Sequence, residues 1–251
     1  MTTITLVTGA SRGLGRNTAL SIARHGGDVV VTYHSRREEA DAVVAEIEGL
    51  GHRAVALQLD TGHVAGFADF ADRLRHALKD VWQRDRLDHL VNNAGHGDYA
   101  PIAQTTEAGF DTLVNVHFKG VLFLTQTLLP LIEDGGRIVN LSSGLTRMSH
   151  PGYAAYAAVK GAVEVLTVYM AKEFGSRGIA VNTVAPGAIE TDFGGGVVRD
   201  NPEINKAFAE ATALGRVGLP DDIGPMIAAL LSPNNRWVNA QRIEVSGGQR
   251  I

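Results

Sequence analysis

Tyr156 and Lys160 stand four residues apart in Tyr156-Ala157-Ala158-Val159-Lys160, at the start of a stretch with helical periodicity. Side chains at i and i+4 lie one above the other on a helix, so the phenol and the ammonium share a face. A free phenol, with a pKa of about 10, exchanges protons poorly at neutral pH. A cation beside it stabilises the phenolate, which would make Tyr156 a workable acid toward a carbonyl oxygen or base toward an alcohol. Such a pair also arises by chance. It gains weight from Ser142-Ser143, which close an apolar strand-like run thirteen residues before the tyrosine. A serine hydroxyl at the C-terminal edge of a sheet can hydrogen-bond an oxygen as charge develops on it, although two serines also serve simply to end a strand. Tyr153 has Ala157 at i+4 and so no cation on its own face; it is read as a pocket wall.

A second set of residues suits a phosphate. The strand-like Ile4–Thr8 runs into Gly9-Ala10-Ser11-Arg12-Gly13-Leu14-Gly15, after which a helix begins. Glycines permit a tight turn and let backbone N–H groups approach a pyrophosphate, which the positive end of the helix dipole favours. The spacing is not G-x-G-x-x-G, so the reading rests on the strand–turn–helix context. After the second strand come His34-Ser35-Arg36-Arg37, and the first carboxylates follow only at Glu38 and Glu39. Folds specific for NAD place an acidic residue there for the ribose 2′-hydroxyl, whereas hydrogen-bonding and forked guanidinium groups suit a 2′-phosphate. NADPH is therefore expected over NADH.

The elements that must hold these groups are legible as an alternation. Ile4–Thr8, Val29–Tyr33, Ala54–Leu59, Leu87–Asn92, Arg137–Ser142, Ile179–Ala185 and Arg242–Val245 read as strands. Arg36–Glu48, Val64–Leu78, Phe110–Leu131, Tyr156–Phe174 and Asp221–Leu231 read as helices. Apolar strands alternating with helices predict an α/β fold, a doubly wound parallel sheet covered on both faces. One domain over residues 1–251 is expected. The irregular stretch 188–218, with Gly194-Gly195-Gly196, is read as a substrate lid hinged on its glycines.

Composition narrows the function classes. The 251 residues carry a formal charge of −4 with 23 scattered Lys and Arg, so neither a nucleic acid nor a membrane surface is expected as partner. Cysteine is absent, which excludes thiol catalysis and Cys-based metal sites. The nine histidines form no H-x-x-x-H or comparable pattern, and no metal is expected. Met1-Thr2-Thr3-Ile4 shows no secretory leader, and no apolar run approaches the ~20 residues that span a bilayer. A cytoplasmic protein acting on a small molecule is the expectation.

Taken together, the motifs resemble the short-chain dehydrogenase/reductase family over essentially the whole chain. Thr8-Gly9-x-x-x-Gly13-x-Gly15 is similar to its cofactor turn, and Asp60 to the acidic residue at the adenine. Asn92-Asn93-Ala94-Gly95 is similar to the segment after strand four, and Pro186-Gly187 with Ile189 and Thr191 to the stretch that holds the carboxamide. The resemblance implies that Tyr156 is the proton donor or base and that Ser143 orients the carbonyl. It further implies that Lys160 tunes the tyrosine and binds the nicotinamide ribose, and that Asn115 holds a water linking Lys160 to solvent. It also implies a homotetramer or dimer, formed through the helices that carry Asn115 and Tyr156.

Leu145, Met148, Tyr153 and Phe193 flank the catalytic motifs and are expected to face the substrate. Their apolar and aromatic character predicts a small to medium hydrophobic or aryl ketone or aldehyde, or the corresponding alcohol. His96, Asp98 and Tyr99 are read as ordinary loop residues. Two other readings stand beside a carbonyl reductase. One is a 3-oxoacyl-[acyl-carrier-protein] reductase, whose acidic carrier Glu133 and Asp134 would oppose although Arg177 matches a basic docking position. The other is a nucleotide-binding scaffold without turnover, which the intact Ser143, Tyr156 and Lys160 argue against.

Overall fold

Seven short runs rich in Val, Ile and Leu pair into one parallel sheet, because their side chains on both faces can be buried only under helices. In the computed structural model, which describes residues 2–251, they are β1 (Ile4–Val7), β2 (Asp28–Tyr33), β3 (Ala54–Gln58), β4 (Leu87–Asn92), β5 (Ile132–Leu141), β6 (Ala180–Pro186) and β7 (Arg242–Val245). Their order is β3-β2-β1-β4-β5-β6-β7, so the winding reverses between β1 and β4. Ligands of open α/β sheets lie beyond the carboxyl ends of the strands at that reversal.

Alternation along each strand divides the core in two. Val7, Val29, Val31, Val139 and Val184 pack under α1 (Gly13–Arg24), α2 (Arg37–Gly49) and the later helix Gly224–Leu231. Leu6, Val30, Leu90, Ile138 and Val181 face the other way, onto α3 (Phe67–Ala77) and the long helices that follow β4 and β5. The second of those, α6 (Ala154–Phe174), would pass for a membrane span by length and mean hydropathy, contrary to the expectation that no run comes close. It lies instead on β5 and β6 with Val163, Met170 and Ala171 buried.

The expected elements are present with shifted ends, each for an identifiable reason. The helix read as 110–131 runs as α4 (Glu107–Val114), a widened turn over Asn115–Lys119, and α5 (Gly120–Leu128). It starts at Thr106, whose hydroxyl caps Gly109 N–H. The strand ending in Ser142 begins earlier than read, at Ile132, because Gly135 at φ +78° bends the chain without ending the strand. Residues 188–218 are irregular at both ends, with the helical patch expected after Gly194-Gly195-Gly196 in the middle. They contain α7 (Val197–Asp200) and α8 (Pro202–Glu210), the latter capped by Asn201. The last helix, α9 (Gly224–Leu231), follows a separate short turn at Pro220–Asp222 rather than starting at Asp221.

Candidate active site

A buried polar ladder fixes β5 and α6 relative to each other. Asn92 Nδ2 donates to Asn140 Oδ1 (2.8 Å), Asn140 Nδ2 to Thr167 Oγ1 (2.9 Å), and Thr183 Oγ1 to Thr167 Oγ1 (2.8 Å). Nearer the sheet edge, Glu164 Oε1 accepts from Ser142 Oγ (2.6 Å), Thr146 Oγ1 (2.8 Å) and Arg242 Nε (2.8 Å). The carboxylate thereby clamps the 142–146 segment to the helix that carries Tyr156 and Lys160. Ser142 is spent on this clamp, which leaves Ser143 as the serine that faces the tyrosine.

Ser143, Tyr156 and Lys160 meet at the floor of a cavity of about 120 Å³ at the ends of β4, β5 and β6. Tyr156 and Lys160 are buried, and the ammonium lies 5.8 Å from the centre of the phenol ring. Lys160 Nζ donates to Leu141 O at 2.7 Å. The sequence reading expects a phenol made more acidic, and the structure corrects this for the protein alone. Burial raises the Tyr156 pKa, opposed by a hydrogen bond with Ser143 and reinforced by Tyr153. The same burial lowers Lys160 to about 7. Desolvation, the largest cause, outweighs the hydrogen bond with Ser143. A protonated, buried phenol is suited to give a proton to a ketone oxygen.

Pro186, Gly187, Ile189 and Thr191 wall the same small cavity, as do Asn93 and Gly95. A cleft of about 920 Å³ extends from it along the β1–β4 reversal, lined by Gly9, Ser11, Arg12, Gly13, Leu14 and Gly15 on one side. His34, Ser35, Arg36 and Asp60 stand at its far end, with Ala94 and Gly95 between. A side chain at Gly15 would meet Gly9 O at 2.3 Å and Asn93 Nδ2 at 2.5 Å, so this turn requires glycine. The first turn of α1 has no acidic residue and no side-chain cap, which leaves its N–H groups directed at the cleft. An anion fits there, and Arg12, Ser35 and Arg36 supply the donors for a second one.

Several expected residues have other partners in the protein alone, among them Arg36, whose Nη1 donates to Glu39 Oε1 at 2.6 Å. Asn115 lines the long cleft, but its Oδ1 accepts from Lys119 Nζ at 3.0 Å; no bond joins its side chain to Lys160. Arg12 reaches Asp192 at 3.3 Å across the mouth of the cleft, an exposed and therefore weak pair.

A third cavity, of about 620 Å³ and mostly apolar, opens on the other side of Ser143. Leu145, Met148, Tyr153 and Phe193 line it, as the sequence indicates. Three further groups were not foreseen. His150, Phe208 and Ile204 form its outer wall, and the last two lie four residues apart on α8, a spacing that could have marked an apolar face. Gln249 and Arg250 close it from the chain's end, with Gln249 Oε1 accepting from Ala188 N at 3.0 Å. Tyr99 packs edge-on against Tyr153 at 5.5 Å between ring centres and lines the cavity, so it is more than a loop residue. Phe193 borders all three spaces, its ring 5.6 Å from that of Tyr156.

Comparison with known proteins agrees with this geometry. Residues 9–250 match the family described as Enoyl-(Acyl carrier protein) reductase. The hydroxynaphthalene reductase-like protein Arp2 of Metarhizium brunneum (strain ARSEF 3297) is 38% identical, over 98% of this chain and 94% of its own. Among solved structures, the promiscuous reductase LugOII, which catalyses keto-reduction at C1 during lugdunomycin biosynthesis, is 38% identical. It covers 99% of this chain and 98% of its own, with a TM-score of 0.93. The landomycin C-6 ketoreductase LanV, solved with bound NADP and rabelomycin, is 34% identical over 99% of this chain and 96% of its own, with a TM-score of 0.90. With residues 9–250 matched by the family model and relatives of 38% identity covering nearly the whole chain, the chain belongs to the short-chain dehydrogenase/reductase family and is an NAD(P)-dependent oxidoreductase.

Proposed function

We propose that this protein is an NADPH-dependent ketoreductase acting on a carbonyl carried by a hydrophobic, ring-bearing molecule. The observation that carries the reading is the apolar 620 Å³ cavity. Its aromatic wall of Tyr99, Tyr153, Phe193 and Phe208 opens onto Ser143 beside Tyr156. Planar rings stack well on such walls, and the volume suits a ligand of a few fused or linked rings. The relatives named for hydroxynaphthalene and for keto-reduction point to the same chemistry.

The long cleft accommodates the dinucleotide. Its pyrophosphate would rest on the N–H groups of α1 and the 2′-phosphate on Arg12, Ser35 and Arg36, with Asp60 at the adenine and Asn93, Ala94 and Gly95 along the floor. Pro186, Gly187, Ile189 and Thr191 would flank the nicotinamide. NADPH, when bound, supplies the hydride. The chain's own part is then proton management. Ser143 hydrogen-bonds the carbonyl oxygen and polarises it, Tyr156 gives that oxygen its proton, and Lys160 offsets the negative charge left on the phenol. A phenol held protonated by burial favours reduction at neutral pH, whereas alcohol oxidation would need an alkaline medium to remove that proton first. Residues 188–218 would close as a lid, with Gly194, Gly195 and Gly196 all at positive φ and Phe193 as its tip.

A carrier-protein substrate is disfavoured by the surface at the β5 entry. Arg177 Nε is bound to Asp134 at 2.7 Å, and its other nitrogens go to the carbonyls of Leu129 and Ile132. The one matching docking cation is therefore engaged, beside carboxylates that would repel an acidic partner. An assay of NADPH consumption with fused-ring aryl ketones, short aliphatic ketones and an acyl-carrier thioester tests the reading. The aryl ketones should give kcat/KM at least about tenfold above the others, which corresponds to about 1.4 kcal/mol of transition-state binding. NADH should be the poorer cofactor. Turnover confined to the thioester, or a preference for NADH, would overturn it.

We further propose a homotetramer or dimer built on α4 to α6. Phe110, Val165, Val168 and Tyr169 on these helices are exposed although apolar, and apolar side chains grouped on neighbouring helix faces favour burial against another subunit. Light scattering on the purified protein should return two or four chain masses; a monomer at micromolar concentration would refute it.

A further inference from the structure

His117 is buried beside the catalytic tyrosine, and the mechanism above leaves it unused. It sits in the widened turn Asn115–Lys119, is 1% exposed, and meets the Tyr156 ring edge-on at 5.3 Å between centres. Its other ring neighbour is His96, also at 5.3 Å. Nε2 lies 2.8 Å from His96 O and 3.3 Å from His96 N. The longer contact is a donation from His96 N–H to a bare Nε2 and the shorter one a donation from a protonated Nε2, so the two need opposite tautomers; we assign the shorter, with the proton on Nε2 and a bare lone pair on Nδ1. That Nδ1 is buried and has no partner among the described residues.

The space next to the ring is the 120 Å³ cavity that His117 lines together with Asn93, Gly95, Ser143, Tyr156 and Lys160. The contact is close on this side, since a side chain at Gly95 would come within 2.8 Å of Nδ1. The cavity has room for a few waters or for a sugar hydroxyl. Lys160 donates one N–H to Leu141 O, and the remaining protons of an ammonium have no protein acceptor among the described residues. Lys160, with a single protein acceptor, and His117, with an unpartnered Nδ1, thus line the same small space.

We propose that His117 Nδ1 is the acceptor that, through one hydroxyl donor shared with Lys160, keeps the lysine charged beside Tyr156. The hydroxyl comes from water in the free protein. This makes His117 a positioning residue for the proton transfer, and the idea rests on the assignment of Tyr156 and Lys160 to that transfer. The charged and titratable groups around it are Lys160 on α6, Tyr156 and Tyr153 nearby, His96 on the loop after β4, and Asp98 beyond His96. None of them offers Lys160 a carboxylate. Burial, Lys160 and His96 lower the His117 ring to about 2, so at every working pH it is neutral and keeps one bare nitrogen.

The two amide isosteres of histidine separate the two nitrogens. His117→Asn keeps an oxygen near Nδ1 but loses the Nε2 end, and His117→Gln keeps the Nε2 end but loses the acceptor in the cavity. Both remove the ring, so a role limited to packing would be lost equally in both. The readout is the titration of Lys160 in the cofactor-free protein, followed by NMR of 13Cε-labelled lysine and assigned with Lys160→Met. His117→Gln should move the Lys160 midpoint down by about one pH unit, a tenfold change in the ammonium-to-amine ratio. His117→Asn should stay within about a third of a unit of the parent. In the loaded enzyme, the pH at which kcat/KM for ketone reduction falls should shift with the lysine. Equal midpoints in the parent and the Gln variant, or equal shifts in both variants, would overturn the proposal. Because the lysine titration needs no substrate, it can fail while the ketoreductase reading stands, and the reverse.

Discussion

Tyr156→Phe lowers kcat for ketone reduction by about 10³-fold, within the range expected when a general acid is deleted, and leaves NADPH binding within about twofold of the parent. The substitution removes a single oxygen. The ring remains to pack against His117 at 5.3 Å and Phe193 at 5.6 Å, so the walls of the small cavity persist. What disappears is the one buried O–H that sits between Ser143 and the lysine and can reach a carbonyl oxygen. Ser143 cannot replace it, since a hydroxyl of much higher pKa that accepts from Leu145 N is a polariser and not a proton source. Stopped-flow absorbance of NADPH oxidation, with cofactor fluorescence for binding, separates the two effects. A variant that turns over at more than a tenth of the parent rate would remove Tyr156 from the mechanism. A parent that binds NADPH but reduces no ketone in the panel would revive the reading of a silent nucleotide-binding scaffold.

How far the site could be read from sequence depended on how far apart its parts lie in the chain. Tyr156 and Lys160 are joined by helical spacing, and Gly9 to Gly15 by one turn, so local geometry was enough for both. The strand ends that carry Asn93, Ser143 and Pro186 follow once a parallel sheet is inferred, because all strand ends of one sense share one edge. The substrate cavity needed more. Tyr99, His150, Phe208 and Arg250 converge from four separate segments, and no periodicity links them. His117 was equally hidden, since a lone histidine on a helix face looks the same whether its neighbours are core or catalytic. The state of the phenol in the protein alone was hidden for a different reason. The sequence shows that a cation is near, but the depth of burial that weakens that cation's charge is a property of the packed fold. Ala240 is a further case. The structure holds it at φ +58°, a conformation that costs an alanine roughly 1 kcal/mol and that nothing in the residue type announces.

Stability should fall as pH drops below 6.5, with the buried His89 and His117, far apart in the fold, carrying the largest part and His96, also lowered by burial, acting in the same direction. His89 on β4 is lowered to about 4, first by burial and then by Arg137 and Arg84 against the opposing pull of Asp88. His117 is lowered to about 2. Each has an Nδ1 with no partner, which is tolerable for a neutral ring and costly for a charged one. In the unfolded chain both titrate near 6.5. As pH drops from there toward 4, the unfolded state takes up two protons that the native state refuses. Stability therefore rises with pH across that window and is lost on acidification. At about 1.4 kcal/mol per proton per unit, the two together remove on the order of 4 kcal/mol between pH 6.5 and pH 5. That is a large part of the 5–15 kcal/mol typical of a folded domain. Arg147 with Ser246 and Arg242 holds Glu244 at about 2, and Arg216 with Leu219 N–H holds Asp222 at about 2, so these groups act in the same direction only at lower pH. Urea denaturation at pH 7.5, 6.5, 5.5 and 5.0 should show a midpoint that falls at each step, with Lys160, lowered to about 7 by burial, contributing mainly above pH 6.5 and the histidines mainly below it. Replacing His89 by Gln, which carries no titratable proton, should lessen the slope of that fall between pH 6.5 and 5 whatever it does to stability at pH 7.5. A midpoint independent of pH down to 5 would mean that at least one of these rings finds room for its proton in the native core.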